Sequence, residues 1–148
     1  MASNYLSPAK GSIKNYLDDA DYFLDINGIS RHSDNNYPYN ENNYGLGITA
    51  TKGDDIVNVL TAGGYKNSRN KPSFYAAAGL AKRFGNEYYA DIGAVGGAVT
   101  GYDNAISPML AAMLSLGKKD RAKLNFFLTP KYKDKPSVVM MNLGIPLK

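Results

Sequence analysis

The stretch Ser137–Leu147, SVVMMNLGIPL, alternates between two kinds of side chain along its length. One set of alternate positions is apolar throughout: Val139, Met141, Leu143, Ile145 and Leu147. The other set mixes small, polar and bulky groups: Val138, Met140, Asn142 and Gly144. Successive side chains of a β-strand point to opposite faces, so a period of two predicts a strand whose faces meet different surroundings.

The same period recurs upstream of this strand. In the preceding stretch, Lys123–Thr129, one face carries Leu124, Phe126 and Leu128. Eight candidate strands result, at about 22–31, 44–52, 55–66, 73–84, 87–100, 107–117, 122–132 and 137–147, separated by turn sequences rich in Gly, Asn and Asp. At eight strands a sheet can close around an interior that side chains or one slender ligand fill. The sequence therefore predicts an all-β fold, an eight-stranded antiparallel up-and-down β-barrel.

A helical pattern precedes the strands. Apolar residues recur at helical spacing: Ile13, Tyr16, Leu17, Ala20, Phe23 and Leu24. Ser12 is a suitable N-cap for this pattern. We expect a short amphipathic helix over about 12–25 and a barrel over about 26–148, in a single domain of 148 residues. The pattern leaves open whether the helix packs against the barrel or lies on a bilayer.

Two kinds of barrel suit this alternation. A soluble barrel turns its aliphatic faces inward, whereas a membrane barrel turns them toward lipid and lines its lumen with the mixed faces. Small residues in the central strands favour a narrow interior channel: Ala76, Ala77, Ala78, Gly79, Gly93, Gly96, Gly97, Ala111 and Ala112. Tyrosines near the strand ends suit an interfacial girdle: Tyr37, Tyr39, Tyr44, Tyr65, Tyr88, Tyr89, Tyr102 and Tyr132. These features favour the membrane barrel, although tyrosines also cap soluble barrels.

Composition and missing motifs narrow the range of functions. The chain has a net charge of +4, from lysines and arginines spread along its length, and this indicates a solvated face rather than a nucleic-acid or anionic-lipid surface. It has no cysteine, no run of apolar residues long enough for a spanning helix, and no N-terminal pattern typical of a secretory signal. The sequence has no metal-ligand spacing and no cofactor motif, so we expect neither a metal nor a cofactor.

Two polar residues are candidates for chemistry. His32 is the only histidine and stands where the first predicted strand ends, before a long Asn-rich loop. Ser68 stands in the next long loop, and its hydroxyl needs a base within hydrogen-bond reach to act as a nucleophile. His32 offers the only imidazole for that purpose. A structural role is the commoner one for a single histidine.

Several motifs, taken in order, resemble the PagP-type lipid A palmitoyltransferases of the Gram-negative outer membrane. After the N-terminal helix they are ISRH ending at His32, Tyr39-Asn40-Glu41, Tyr44-Gly45-Leu46-Gly47, Lys66-Asn67-Ser68 with Asn70, Gly97-Ala98-Val99-Thr100 with Asp103-Asn104, Ile106 with Pro108 and Leu110, and Leu128-Thr129-Pro130-Lys131-Tyr132. The resemblance covers about residues 12–148. It implies an eight-stranded outer-membrane barrel that moves a fatty acyl chain from a phospholipid to lipid A.

The resemblance also implies roles for individual residues. The family's catalytic histidine and serine match His32 and Ser68, while its aspartate position holds Asn67. The implied acyl pocket is assigned to residues whose side chains are flexible or small: Met109, Ala111, Met113 and Gly93. The implied partners are a phospholipid and lipid A or another acyl lipid, and we expect a monomer in the outer membrane.

Two functions remain open at this point. The first is a PagP-like acyltransferase, favoured by His32 and Ser68. The second is a non-catalytic small barrel, which is an outer-membrane, lipid-binding or virion-associated protein that keeps only the scaffold. Asn67 and the missing secretory signal favour the second, because an amide cannot act as a carboxylate base. A soluble or virion-associated location therefore stays open beside the outer membrane.

Overall fold

The computed structural model describes residues 19–32, 41–67, 69–101, 105–130 and 137–147. In this part of the chain eight strands form a closed barrel. Their bounds are β1 Asp21–His32, β2 Asn42–Lys52, β3 Ile56–Lys66, β4 Pro72–Gly85, β5 Tyr88–Val99, β6 Ser107–Lys118, β7 Lys123–Thr129 and β8 Val138–Leu147. Each strand pairs antiparallel with the next, and β1 pairs with β8. The predicted fold class is confirmed.

The start of β1 differs from the sequence prediction. The predicted helix over 12–25 lies mostly outside the described residues, but its last part is wrong, because Asp21 already begins a strand. Tyr22 pairs with Ala50 on one side and with Leu147 on the other. Closing the barrel supplies backbone partners on both edges of β1, and these outweigh the local helical spacing of Phe23 and Leu24.

The connections differ in length at the two ends of the barrel. At one end, called the turn end, they span two to four residues: 53–55, 86–87 and 119–122. At the other, called the loop end, they span five to nine: 33–41, 67–71, 100–106 and 130–137. Gly53 and Gly85 have φ values of +125° and +97° at the turn end, a region that glycine enters without steric cost. The loops therefore cluster on one side of the molecule.

Large aliphatic side chains cover the outer surface of the barrel. Exposed members of this set include Ile26, Leu46, Ile48, Leu60, Leu80, Ile92, Leu110, Leu116, Leu124, Leu128, Leu143, Ile145 and Leu147. The outward direction predicted for the aliphatic faces of β7 and β8 is confirmed. Within the described ranges, no helix has the length and apolar character needed to cross a membrane.

The predicted tyrosine girdle is only partly present. Tyr44 and Tyr88 are exposed on the outer surface, as expected. Tyr65 and Tyr89 instead belong to the inner face: Tyr89 is buried, and the ring of Tyr65 lies 5.9 Å from that of Tyr75. Neighbouring positions of a strand face opposite sides, so Tyr88 and Tyr89 cannot both face outward. The other four predicted tyrosines, at 37, 39, 102 and 132, lie outside the described residues.

The interior is apolar on one side and polar on the other. The apolar side is a cluster from the central strands: Val57, Val59, Ala77, Ala81, Val95, Ala111 and Met113, with Met109 and Phe127 packed against it. The polar side comes mainly from β1, β2, β7 and β8, and its buried members include Asp25, Thr49, Thr51, Lys123, Asn125 and Asn142. The barrel thus holds charged groups inside and aliphatic groups outside.

Candidate functional site at the loop end of the barrel

His32 lies at the last position of β1, at the loop end. Its side chain is only 4% exposed, and Nδ1 lies 3.6 Å from Oε1 of Glu41. Its backbone N–H donates to the same oxygen at 3.2 Å, and Nη1 of Arg31 donates to the other carboxylate oxygen at 2.7 Å. Glu41 therefore holds the end of β1 against the start of β2.

The electrostatics of this contact follow from its hydrogen bonds. The N–H of His32, together with the Arg31 guanidinium, lowers the pKa of Glu41 below its usual value, because both stabilise the charged carboxylate. Glu41 precedes β2 and stands at the rim of the barrel. A carboxylate beside an imidazole can orient it and stabilise its charged form. Sequence reasoning placed Glu41 only within a motif and gave it no role.

Asn67 is fully buried immediately after β3, and its side chain holds the short loop that follows. Oδ1 accepts hydrogen bonds from the backbone N–H of Arg69 at 2.8 Å and of Lys71 at 3.0 Å. Nδ2 donates to Ser73 Oγ and to the backbone oxygen of Gly101, both at 2.9 Å. Both hydrogens of the amide nitrogen and both lone pairs of the oxygen are therefore used by the fold.

These bonds join two loops across the barrel rim. Ser73 Oγ, which accepts from Asn67, donates in turn to the backbone oxygen of Thr100 at 2.6 Å. The N–H of Phe74 donates to Thr100 Oγ1 at 2.9 Å. Gly101 has a φ of +89°, and an added Cβ would lie 2.5 Å from Ser73 Oγ. The β3–β4 and β5–β6 connections are thus packed and bonded to each other.

The two described members of the predicted triad lie at the same end of the barrel. His32 ends β1 and Asn67 follows β3, with β2 between those strands. Ser68, the third member, lies outside the described residues. The bonds of Asn67 are those of a residue that shapes a loop, and a catalytic role for these three residues stays a prediction.

The residues predicted to hold an acyl chain face the interior. Ala111 and Met113 belong to the apolar cluster, and Met109 packs against it. Gly93 lies where β4 and β5 approach closely, since an added Cβ would lie 2.0 Å from the backbone oxygen of Leu80. Val95 of β5 belongs to the same cluster, and Phe127 of β7 packs against it. Binding of an acyl chain there stays a prediction.

Sequence reasoning missed the charged groups inside the barrel. Near the turn end, Arg83 makes two hydrogen bonds to Asp91, Nε to Oδ1 and Nη2 to Oδ2, each of 2.8 Å. The same guanidinium lies 4.1 Å from the ring centre of Tyr89. Nζ of Lys123 lies 4.0 Å from the ring centre of Phe23. The sequence carried a signal, because Arg83, Asp91 and Lys123 are charged residues on the mixed faces of β4, β5 and β7, but only the closed barrel shows which of them meet.

A chain of hydrogen bonds continues around the polar side of the interior. Ser115 donates to Asn125 at 2.5 Å, Asn125 to Asn142 at 2.7 Å, and Asn142 to Asn27 at 3.1 Å. On the next strand, Thr49 donates to the buried carboxylate of Asp25. The described residues contain no group of three or more His, Cys, Asp or Glu side chains placed to hold a metal ion. The bonded side chains cross-link the inner wall of the barrel.

Comparisons with known proteins concern the fold. No protein-family model matches the chain, and no curated protein is significantly similar to it in sequence. The structure is similar to the crystal structure of Ail, the attachment invasion locus protein of Yersinia pestis, with a TM-score of 0.51, 17% identity, and coverage of 86% of this chain and 97% of that chain.

Two further structures of Ail also align with the barrel. Ail in a phospholipid bilayer nanodisc gives a TM-score of 0.46 and 12% identity, covering 87% of this chain and 100% of that one. The crystal structure of Ail with the heparin analogue sucrose octasulfate gives a TM-score of 0.47 and 17% identity, covering 86% of this chain and 97% of that one. The first of the three matches, to the crystal structure of Ail alone, shows that this chain has the β-barrel fold of Ail.

Proposed function

We propose that the chain is an integral outer-membrane β-barrel protein without catalytic activity, held in lipid by its outer wall and presenting its loop end outside the cell. The observation that carries the proposal is that charged side chains lie inside the barrel and aliphatic side chains cover its outer surface. Asp25 and Asp91 are each 1% exposed in the interior, whereas leucines and isoleucines are exposed all around the outside. A soluble barrel buries its aliphatic faces, while a membrane barrel turns them to lipid.

The spacing of exposed aromatic residues fits the thickness of a membrane. Phe74 and Phe84 are exposed near the two ends of β4, ten residues apart. Ten residues of strand span about 33 Å, and a tilt of roughly 40° reduces this to a height of about 25 Å. That height equals the apolar band of outer-membrane barrels, which aromatic residues flank at both interfaces. Tyr44 at the loop end and Tyr88 at the turn end extend the two belts.

The lengths of the connections support an orientation. Outer-membrane barrels have short turns on the periplasmic side and longer loops on the outer side. The turn end of this barrel therefore corresponds to the periplasm, and the loop end to the outside. Ail, which shares the fold, is named for attachment and invasion. We also propose that the loop end has a binding role at the cell surface.

The state of Asn67 supports a non-catalytic role. Its amide is fully buried and makes four hydrogen bonds, three to loop residues and one to Ser73 of β4. A side chain that is fixed in this way leaves no donor or acceptor for a substrate. The position that carries a carboxylate in the acyltransferases serves here as a structural link.

Acyl transfer from a phospholipid to lipid A is the weaker candidate. It is supported by His32, whose imidazole lies at the loop end beside the Glu41 carboxylate, a pairing that can orient a general base. Under this candidate Ser68 would be the nucleophile, and the interior residues Met109 and Met113 would contact the acyl chain. A catalytic role for His32 would make its replacement by alanine abolish acyl transfer without unfolding the barrel.

Two measurements on cells that make the protein test both candidates: the folding of the purified chain and the mass of lipid A. The proposal predicts that the purified chain folds in detergent or vesicles and aggregates without them, and that lipid A from cells making it keeps its mass. A folded, monodisperse protein in plain buffer would contradict the membrane part. A mass gain of one acyl chain, lost in His32→Ala and Ser68→Ala, would contradict the non-catalytic part and establish the acyltransferase.

A further inference from the structure

A groove of about 670 Å³ lies on the outer wall of the barrel near the loop end, over strands β2, β3 and β4. We call it the β3 groove, and its main members are Leu46, Gly64, Lys66 and Phe74. Leu46 and Phe74 are both exposed, so the groove opens to the medium around the barrel. These four residues stand at outward positions of their strands, on the opposite side of the wall from the apolar interior cluster.

The groove exists because a glycine stands between two large side chains. Gly64 pairs with Leu46 on β2 and with Phe74 on β4, so the three positions lie side by side on the outer face. A Cβ added at Gly64 would lie 3.1 Å from two carbons of the Phe74 ring. The Phe74 ring therefore leans over Gly64, and together with Leu46 it lines a slot beside the backbone of β3. The exposed surfaces of Leu46 and Phe74 are apolar, and an acyl chain is apolar as well.

An exposed lysine, Lys66, stands at the loop end of the slot. Lys66 is exposed and follows Gly64 by two residues, on the same face of β3. Outward lysines near the turn end pair with acidic residues: Lys52 with Asp19, Lys82 with Asp55, and Lys118 with Glu87. Among the described residues no carboxylate pairs with Lys66. Within the described ranges, the apolar slot thus ends at an exposed lysine that has no acidic side chain bonded to it.

We propose that the β3 groove binds one membrane lipid with a net negative headgroup, its acyl chain lying over Gly64 and its headgroup contacting Lys66. The inference rests on the proposed membrane location. Lys66 pairs with Pro72, two residues beyond the level of Phe74, where the aromatic belt places the boundary between acyl chains and headgroups. Along the barrel wall, the positive charge of Lys66 therefore lies at the level of the headgroups and the apolar slot lies at the level of the acyl chains.

The test is native mass spectrometry of the protein released from nanodiscs containing equal amounts of phosphatidylcholine and phosphatidylglycerol. We expect one retained lipid, with phosphatidylglycerol favoured about fivefold, which corresponds to about 1 kcal/mol for one lysine near an anionic headgroup. In Lys66→Gln this preference should disappear, so that the two lipids are retained about equally. Gly64→Leu, which fills the slot, should abolish retention of either lipid.

Two matched controls separate the groove from general effects. Gly96 is another outward-facing glycine, and a Cβ there would have no contact closer than 3.6 Å, so Gly96→Leu adds the same bulk elsewhere. Lys119→Gln removes an exposed lysine at the turn end. Both variants should retain phosphatidylglycerol like the parent.

Each other outcome is decisive. Insertion into nanodiscs with equal retention of both lipids, or loss of retention in the controls, would overturn the lipid site and leave the membrane location intact. A dimer that disappears in Gly64→Leu would show that the groove is a contact between two copies, and would also overturn it. Failure to insert at all would contradict the proposed function itself. Lys66→Gln keeps the backbone of the groove, so it decides the case even where Gly64→Leu does not fold.

Discussion

Replacing Leu60 by arginine should destabilise the barrel only if its outer wall faces lipid. Leu60 lies on the outer face of β3 and pairs with Ala50 and Ala78. Ala78 follows Phe74 by four residues and precedes Phe84 by six. At a strand tilt of roughly 40°, Leu60 lies roughly 10 Å from one aromatic belt and roughly 15 Å from the other, close to the middle of the apolar band.

The expected magnitude follows from this depth. An arginine at the midplane of an outer-membrane barrel costs about 2–4 kcal/mol, whereas one near the interface costs about 0–1 kcal/mol. Ile56 provides the matched control, because it is 51% exposed, against 46% for Leu60, and pairs with Lys82 near the turn end. We therefore expect Leu60→Arg to lower the free energy of unfolding by about 2–4 kcal/mol and Ile56→Arg by no more than about 1 kcal/mol.

The assay is a urea titration of the protein in phospholipid vesicles, followed by far-UV circular dichroism. The chain has no tryptophan, so tyrosine fluorescence supplies a second probe. Leu60→Ala separates the loss of the leucine from the gain of charge. In a soluble barrel both arginine variants would change stability by only about 0.5 kcal/mol, as exposed substitutions usually do. Equal, small effects at Leu60 and Ile56 would refute the reasoning.

Three further predictions concern polar contacts. Asn67→Asp removes both donors of the buried amide and sets a carboxylate against the Gly101 oxygen, so urea titration should show a loss of about 1–3 kcal/mol, and unchanged stability would contradict the structural role. Asp91→Ala should cost about 3–5 kcal/mol by leaving the Arg83 guanidinium unpaired, whereas the double variant Arg83→Met with Asp91→Leu should cost far less in the same titration. The pKa of Glu41 is lower in the folded state than in the unfolded state, so its charged carboxylate stabilises the fold. This stabilisation is fully present above the unfolded-state pKa and is lost as the pH falls through the folded-state pKa. Over that window the protection of amide hydrogens at the end of β1, measured relative to their intrinsic exchange rates, should fall, and a Glu41→Gln variant that shows the same pH dependence would contradict the assignment.

The sequence alone determined the number and the place of the strands. A period of two over eight segments, separated by turns such as the one at Gly53, leaves little choice of secondary structure, and all eight strands lie within a few residues of their predicted bounds. The same alternation assigns Asn142 and Leu143 to opposite faces of β8. These properties are local, because they depend on residues that are neighbours along one strand.

Only the tertiary structure decided what each face meets. Alternation is the same whether Leu143 points inward or outward, so the closure of the sheet had to show that the aliphatic face is the outer one. Closure also ended the helical pattern at Asp21 by giving β1 a partner on both edges. The pair of Arg83 with Asp91 and the bonds of Asn67 join residues that only folding brings together, and no spacing along the chain could have assigned them.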